Sequence, residues 1–396
     1  MKTKFKSRNE VFGKTVFNTS TLQHSFMTNE QFNMFKKRYI VEEFDNKPFF
    51  KDVRILYSPI RSYFDITLKC NLRCQTCLNE SGKPMENELK LDDAINVVEG
   101  LNKDYVFDVK FSGGEPTQKR GWFEIMSKAK ELGLAITVNS NGIYDKKTIE
   151  KLINLRPNEI TISLDGLKKH NDYIRGKGTF EKATKSIKKL SKNGLRVTIN
   201  SVVTSIMDES DIKGLLELAN EFCYDISFFH ARPIGRAKQI KNKLLNAQEL
   251  NEYMKKIDSM KSQYPLLKIE TRSGSLRTNS IHSKYEDLGL MMGGSDGFTR
   301  LNIMPDGKIF AGGCVPYVNP EKNDNLVLGN IKDENFSLLN IWRHSERLWK
   351  IRKHSHFLKK RCDNCEDYQT KCSGFTLDME LYRKYSKENV NPYCKY

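Results

Sequence analysis

The sequence has no run of ~18 consecutive apolar residues, the length a membrane-crossing helix needs. Its start, "MKTKFKSRNEVFGKTVF", is basic but lacks the apolar stretch of a signal peptide. Both absences lead us to expect a cytoplasmic protein with no membrane partner. There is no internal repeat, no low-complexity linker and no single basic arm, because the net charge of +17 is spread through nearly every helix-like segment. Such a spread reads as a solvated Lys-rich surface, or as one that steers an acidic peptide or RNA. No appended RNA-binding motif accompanies it, so no nucleic-acid partner is expected. One more shortage concerns a ligand. In "CNLRCQTC", residues 70 to 77, Cys70, Cys74 and Cys77 stop at three, whereas a closed structural metal site wants four.

At 396 residues the chain exceeds one typical domain and can bury a substantial core. Nine cysteines, several at C-x2-C spacing, fit metal ligation in a reducing compartment better than a disulfide framework. We divide the chain into an N-terminal extension (1–60), a core (61–270) and a Cys-rich C-terminal region (271–396). The extension shows apolar alternation in "EVFGKTVF", then a helix-like "TNEQFNMFKKRYI"; its role is not legible.

From Tyr63 the pattern alternates strand and helix. "YFDITL", "VFDVKFS", "AITVNS", "EITISL", "RVTINSVV" and "DISFFHA" read as strands, separated by amphipathic stretches such as "WFEIMSKAKELG" and "FEKATKSIKKLSKNG". Apolar β-branched runs alternating with 3.6-period segments predict parallel strands joined by right-handed crossovers. Six such units predict an α/β fold, an incomplete barrel or a doubly wound sheet, whose chemistry gathers beyond the carboxyl ends of the strands. The chemically suggestive residues fall there: Cys70 to Cys77 after the first strand, Gly113 to Pro116 after the second, Asn141 after the third and Asp165 after the fourth. After about residue 270 the alternation breaks down. "RLNIMPDGKIFAGGC" reads as a hairpin turning at "PDG", and a helix-like "FSLLNIWRHSERLWKI" leads into the last cysteines.

Three thiolates on one loop favour zinc or an iron–sulfur cluster with one iron left open. "CNLRCQTC" together with "FSGGEP" resembles the radical S-adenosylmethionine (SAM) superfamily. That resemblance implies a partial (β/α)6 TIM-like barrel in which Cys70, Cys74 and Cys77 hold a 4Fe–4S cluster. SAM would chelate the open iron and be cleaved to methionine and a 5′-deoxyadenosyl radical. It further implies that the turn Gly113-Gly114-Glu115-Pro116 lets backbone approach the methionine end of SAM, and that Ser163, Asn141 and Arg175 meet its ribose or carboxylate. Thr76 departs from the pattern, standing where the family often has an aromatic residue near adenine; other apolar groups around Val202 and Ile226 would then hold the base.

Cys362, Cys365, Cys372 and Cys394 are four thiols in a short stretch, enough for a closed site that ties down the chain end. Spacing alone does not separate zinc from iron–sulfur, and His354 and His356 would be available to zinc. With "IMPDGKIFAGGC" upstream, the set resembles the SPASM extension of radical SAM peptide-modifying enzymes, an α+β Cys-rich module. That family normally carries two auxiliary 4Fe–4S clusters. Here Glu334 and Thr376 stand where cysteines are expected, so the resemblance implies one auxiliary cluster, on Cys362, Cys365, Cys372 and Cys394. Cys314 is left over: it packs in the hairpin, replaces one of the four ligands, or serves as a working thiol that returns hydrogen to a substrate radical. Cys223 reads as a buried small hydrophobe.

The resemblance implies an oxidoreductase-type maturase acting on a peptide or protein, with an electron donor such as flavodoxin or ferredoxin. The product would be a cross-link, an oxidation or an epimer. The competing readings are a formylglycine-generating enzyme of the sulfatase-maturase kind, a nucleic-acid-modifying radical SAM enzyme, and a non-enzymatic metal-binding or partner-binding protein. Replacing Cys372 by Ala should lower the iron content of anaerobically reconstituted protein by about one cluster's worth, ~4 iron per chain. Unchanged iron would remove the auxiliary-cluster assignment.

Overall fold

The computed structural model describes residues 4–52, 55–273, 276–277, 296–313, 315–318 and 326–352. Cys314, Cys362, Cys365, Cys372, Cys394, His354, His356 and Thr376 lie outside them.

The N-terminal segment forms its own four-stranded sheet in the order β3-β2-β1-β4, from β1 (Phe5–Glu10), β2 (Gly13–Asn18), β3 (Gln23–Met27) and β4 (Val41–Glu43). Between β3 and β4 runs α1 (Asn29–Lys36), started by a capping box in which Thr28 and Gln31 satisfy each other's backbone N–H.

The core opens with β5 (Arg61–Thr67), followed by α2 (Leu91–Lys103), β6 (Asp108–Gly113), α3 (Trp122–Glu131), β7 (Ala135–Ser140), α4 (Lys146–Leu155) and β8 (Glu159–Ser163). It continues through α5 (Lys168–Arg175), α6 (Thr179–Lys192), β9 (Val197–Val203), α7 (Glu209–Phe222), β10 (Asp225–His230) and α8 (Ala247–Met260) to β11 (Lys268–Ser273). Strands β5 to β11 pair in sequence order, all parallel. The six strands read from sequence are present, and β11 adds a seventh at one edge. At the other edge β13 (Arg300–Ile303) pairs parallel to β5, and β14 (Lys308–Phe310) and β15 (Gly329–Asn330) continue antiparallel beyond it. The sheet closes its far end with β12 (Leu276–Arg277). The expected hairpin is β13–β14, turning at Pro305-Asp306-Gly307 with Gly307 at φ +85°, a conformation glycine adopts without strain.

Strand alternation divides the sheet into two unlike faces. Phe64, Val109, Phe111, Ile136, Val138, Ile160, Ile162, Val197, Ile199, Ile226 and Phe228 are wholly buried against the helix layer. The residues between them face the lumen and are polar. At the amino-terminal end of the strands the lumen is charged but internally matched. Arg61 pairs with Asp108, Arg196 bridges Glu159 at 3.1 Å and Asp225 at 2.9 Å, and Lys268 pairs with Glu270.

The N-terminal sheet docks at this same charged end. Arg8 is fully buried, with Glu10 at 2.9 Å. Its guanidinium donates to the Ser58 hydroxyl and to the carbonyls of Ser58 (2.8 Å), Pro59 (3.1 Å) and Tyr105 (2.9 Å), which lie just before β5 and β6. Phe17 stacks on Phe107 at 5.3 Å, and Asn158, before β8, donates to Thr19 O at 2.8 Å. The extension therefore caps the end of the barrel opposite to the carboxyl ends of the strands. On the other flank, Trp342 donates from Nε1 to Leu56 O at 2.7 Å, and Asp104 accepts from the Ser337 hydroxyl and Leu338 N. These bonds hold the helix Leu339–His344 against the core.

Arg8→Ala leaves Glu10 and three carbonyls buried without their partner, which should cost roughly 3–5 kcal/mol. A lower thermal transition is expected by calorimetry, with SAM cleavage below that transition intact because Arg8 sits at the far end of the barrel.

Candidate active site at the thiol loop

The loop leaving β5 carries Cys70, Cys74 and Cys77, all half-buried and reduced. Four elements hold it. First, the end of β6 closes on its base: Gly114 N donates to Thr67 O at 2.6 Å and Glu115 N to Lys69 O at 2.9 Å. A Cβ on Gly113 would come within 2.3 Å of Thr67 O, and one on Gly114 within 2.2 Å of Lys69 O. These glycines admit the chain's own backbone at least as strictly as they would a cofactor. Second, the end of α5 binds Gln75, through Gln75 N to Ile174 O at 2.8 Å and Gln75 Nε2 to Tyr173 O at 2.6 Å. Third, the segment after β10 closes from the far side, with Arg236 donating to Cys77 O, Cys74 O and Ser81 O at 3.1, 2.8 and 3.1 Å. Gly235 permits this approach, since a Cβ there would meet Cys77 O and Leu78 O within 2.5 Å. Fourth, Glu88 accepts from the Thr67 hydroxyl (2.9 Å), Leu68 N (2.7 Å) and Lys119 Nζ (3.2 Å).

The residues expected to meet SAM are found around this loop, several with occupied side chains. Glu115 is fully buried and accepts from the Ser140 hydroxyl, Asn141 N (2.9 Å) and the Thr117 hydroxyl (2.8 Å). Burial pushes its carboxyl up against those hydrogen bonds; its role is to tie the β6 turn to the end of β7. Pro116 opens the one-turn helix Pro116–Gln118. Asn141 donates from Nδ2 to Asn71 Oδ1 at 2.7 Å and stands 3.8 Å from Cys70 Sγ, so it braces the thiol loop directly. Arg175 lies 2.8 Å from the buried Asp165 in an oblique ion pair, with Nη1 at 4.0 Å from Cys74 Sγ. Asp165 is fixed in turn by Val202 N at 2.8 Å. Ser163 ends β8 on the lumen side, half-buried and opposite Asn200. Val202 also faces the lumen, but Ile226 does not: strand parity puts it in the helix-side core, fully buried. Cys223 packs against that same core, and burial pushes its thiol up to about 12, as suits an inert small hydrophobe.

Sequence reasoning reaches Asp165 only as a strand-end residue and gives no role to Arg236, Glu88 or Asn71. The "PIGR" after the sixth strand end was the available signal for Arg236. A further contact arrives from the C-terminal region. Tyr317, in the short helix Val315–Val318, donates to Asp65 Oδ2 at 2.8 Å. Burial pushes the Asp65 carboxyl up to about 6, with Tyr317 and Ser112 holding it from rising further.

The donor set fits a thiolate-held cluster. Burial pushes Cys70 up to about 11, with the charges of Glu115, Cys74 and Cys77 adding to it, and Cys74 is raised by burial against the pull of Arg175 and Arg236. Cys70 and Cys74 ionise together there only with a metal centre to take up their charge. The loop geometry offers three sulfur ligands and no fourth.

Two family models match the chain, one described as the radical SAM superfamily over residues 64–219 and one as an iron–sulfur cluster-binding domain over residues 295–366. The chain belongs to the radical SAM superfamily. It is an iron–sulfur enzyme that uses SAM, with a SPASM-type region that binds auxiliary iron–sulfur. Among its relatives is mycofactocin maturase MftC of Mycolicibacterium smegmatis, 25% identical over 90% of this chain and 85% of its own. Another is the sporulation killing factor maturation protein SkfB of Bacillus subtilis, 28% identical over 71% of this chain and 64% of its own. The crystal structure of Streptococcus suis SuiB bound to S-adenosylmethionine superposes with a TM-score of 0.74, at 19% identity over 98% of this chain and 97% of that one. No helix among the described residues is long and apolar enough to cross a membrane.

Gly114→Ala should drive the two backbones apart at the root of the thiol loop. We expect loss of ~4 iron per chain, the cluster on Cys70, Cys74 and Cys77, and a fall in 5′-deoxyadenosine formation of roughly 100-fold. Iron analysis beside the chromatographic assay checks both.

Proposed function

We propose that this enzyme matures a ribosomally made precursor peptide in the cytoplasm, by removing hydrogen from a side-chain or α-carbon. One observation carries the reading: three free thiols stand on one braced loop beyond the first strand of a parallel sheet, one fewer than a closed four-ligand metal site needs. When bound, the cluster and SAM supply a reducing electron and a 5′-deoxyadenosyl radical. The chain's own part is to position and to shield. Cys70, Cys74 and Cys77 would hold the cluster, and Gly113, Gly114, Glu115 and Pro116 would line the methionine end of SAM. Ser163 and Asn141 border the ribose side. Arg175, kept in place by Asp165, offers a guanidinium edge to the SAM carboxylate. Cys362, Cys365, Cys372 and Cys394 would hold one auxiliary cluster, able to take an electron from the substrate. Cys314 is the candidate hydrogen donor if the product is an epimer. The chain divides into the extension 1–60, the radical SAM core 61–270 and the auxiliary region 271–396, with flavodoxin or ferredoxin as electron donor.

The peptide substrate is supported by relatives named as maturases of mycofactocin and of sporulation killing factor, and by the match to SuiB bound to precursor peptide SuiA, TM-score 0.71. A basic helix face on α6, with Lys185, Lys188, Lys189 and Lys192, suits an acidic leader segment.

Reconstituted enzyme with dithionite and SAM should release 5′-deoxyadenosine and change the mass of the short peptide encoded beside this gene. In heavy water, loss of two hydrogens means a cross-link or desaturation, and deuterium at an α-carbon means epimerisation. 5′-Deoxyadenosine with an unmodified peptide would overturn the peptide reading, and iron-free protein holding zinc would overturn the radical chemistry.

A further inference from the structure

Above the matched charges at its floor, the lumen contains a patch whose polar groups are not matched by one another. Strand register assembles it. Asn302 on β13 lies opposite Tyr63 on β5, and Tyr63 lies opposite Lys110 on β6. Lys110 in turn lies opposite Thr137 on β7, so Asn139 stands one step further toward the reactive end on the same face. With strands ~4.8 Å apart, the row spans roughly 14 Å of the lumen face.

Lys110 differs from the cations below it. Arg61, Arg196 and Lys268 each have a carboxylate partner. Among the described residues no carboxylate lies within 4.0 Å of the Lys110 ammonium, which instead sits 5.8 Å from the centre of the Tyr63 ring. The guanidinium of Arg300 lies 5.0 Å from the same ring, so two cations stand beside Tyr63. The two amides add a second, independent sign. Asn302 is 1% exposed, and its Oδ1 has no hydrogen-bond partner; Asn139 Oδ1 is likewise buried and unpartnered. Buried acceptors in native proteins are almost always met, so an unmet one marks a missing donor. Asp108, which feels the Lys110 charge, is paired with Arg61, so the patch lacks a contacting anion and one or two N–H groups.

An acidic residue within a peptide brings both. Its side-chain carboxylate answers Lys110, and its backbone N–H answers an amide oxygen. An aliphatic residue would bring the N–H but leave Lys110 unmet, and a basic one would face Lys110 with like charge. We propose that the lumen patch of Lys110, Asn139 and Asn302 seats an Asp or Glu of the substrate, its carboxylate on Lys110, and so sets which neighbouring residue is presented to the radical. The inference rests on the peptide reading above and names the residue class that the site selects.

The test uses the reconstituted full-length enzyme and the precursor peptide encoded beside the gene. Each acidic residue of the peptide is changed singly to its amide, and kcat/KM for modification is measured by mass spectrometry. For the wild-type enzyme, one Asp→Asn or Glu→Gln change should lower kcat/KM by about 30-fold or more. With Lys110→Gln the same change should cost less than about 3-fold, and with Lys110→Arg the discrimination should return. A ratio taken within each enzyme is insensitive to how much activity a variant has lost. If no acidic replacement discriminates in the wild type, or if Lys110→Gln keeps the discrimination, the assignment is overturned; the wild-type arm decides even where a variant fails to fold. If the wild type makes 5′-deoxyadenosine but leaves the natural peptide unmodified, the peptide reading has failed and this inference falls with it.

Discussion

The site depends on one close approach of backbone to backbone. Gly113 and Gly114 bring the end of β6 against Thr67 to Lys69, at a separation no Cβ could tolerate. Two peptide N–H groups of the turn are then satisfied by carbonyls at the root of the thiol loop. The loop has little apolar burial of its own and would otherwise be mobile. A second clamp is built outward from this contact. Glu115, directed inward by the turn, reaches Ser140 and Asn141 at the end of β7. Asn141 passes the restraint back to the loop through Asn71. Three consecutive strand ends are thereby tied into one rigid rim, and a rim of that kind is what keeps three sulfurs in place before a metal binds.

The division of the sheet into an apolar outside and a polar inside explains how the barrel offers a reaction chamber. The helices supply the hydrophobic stabilisation through Phe64, Phe111, Val138, Ile162, Ile199 and Phe228, all wholly buried. The lumen is therefore released from core duty and can hold charge. At its floor that charge is neutralised by ion pairs among neighbouring strands, and the N-terminal sheet covers this end through Arg8 and the Phe17–Phe107 stack. The thiol loop stands at the opposite, carboxyl ends of the strands. Water exclusion at one end and chemistry at the other follow from the same alternation of residues.

That alternation also decides what could be read from sequence. Strands β5 to β10 were legible because their helix-facing residues are β-branched or aromatic. β11 was not, since "KIETRS" alternates only two apolar-side residues, Ile269 and Thr271, with lumen charges and so looks like loop. The cysteine spacing and the strand-end placement of Gly113, Asn141 and Asp165 were legible because a parallel sheet forces chemistry to one end. Partners that depend on tertiary approach were not. Nothing local in "HNDYIRGKGTF" ties Arg175 to Asp165, ten residues away across a helix. Tyr317 reaches Asp65 across 252 positions. Ile226 reads as an apolar candidate for the adenine until register assigns it to the helix side.

The electrostatics of the loop show why two arginines flank it. Burial and mutual repulsion raise the thiols of Cys70 and Cys74 above the ordinary cysteine value, so metal-free thiolate is disfavoured. Arg175 and Arg236 both pull Cys74 the other way. Each guanidinium is also anchored, Arg175 by Asp165 and Arg236 by carbonyls of the loop itself. A lysine at either place would keep the charge and lose the fork that reaches two partners at once. Arg236 in particular binds the carbonyls of Cys74 and Ser81 while its own N–H binds that of Cys77, so one residue fixes the shape of the loop and lowers the electrostatic cost of ionising it.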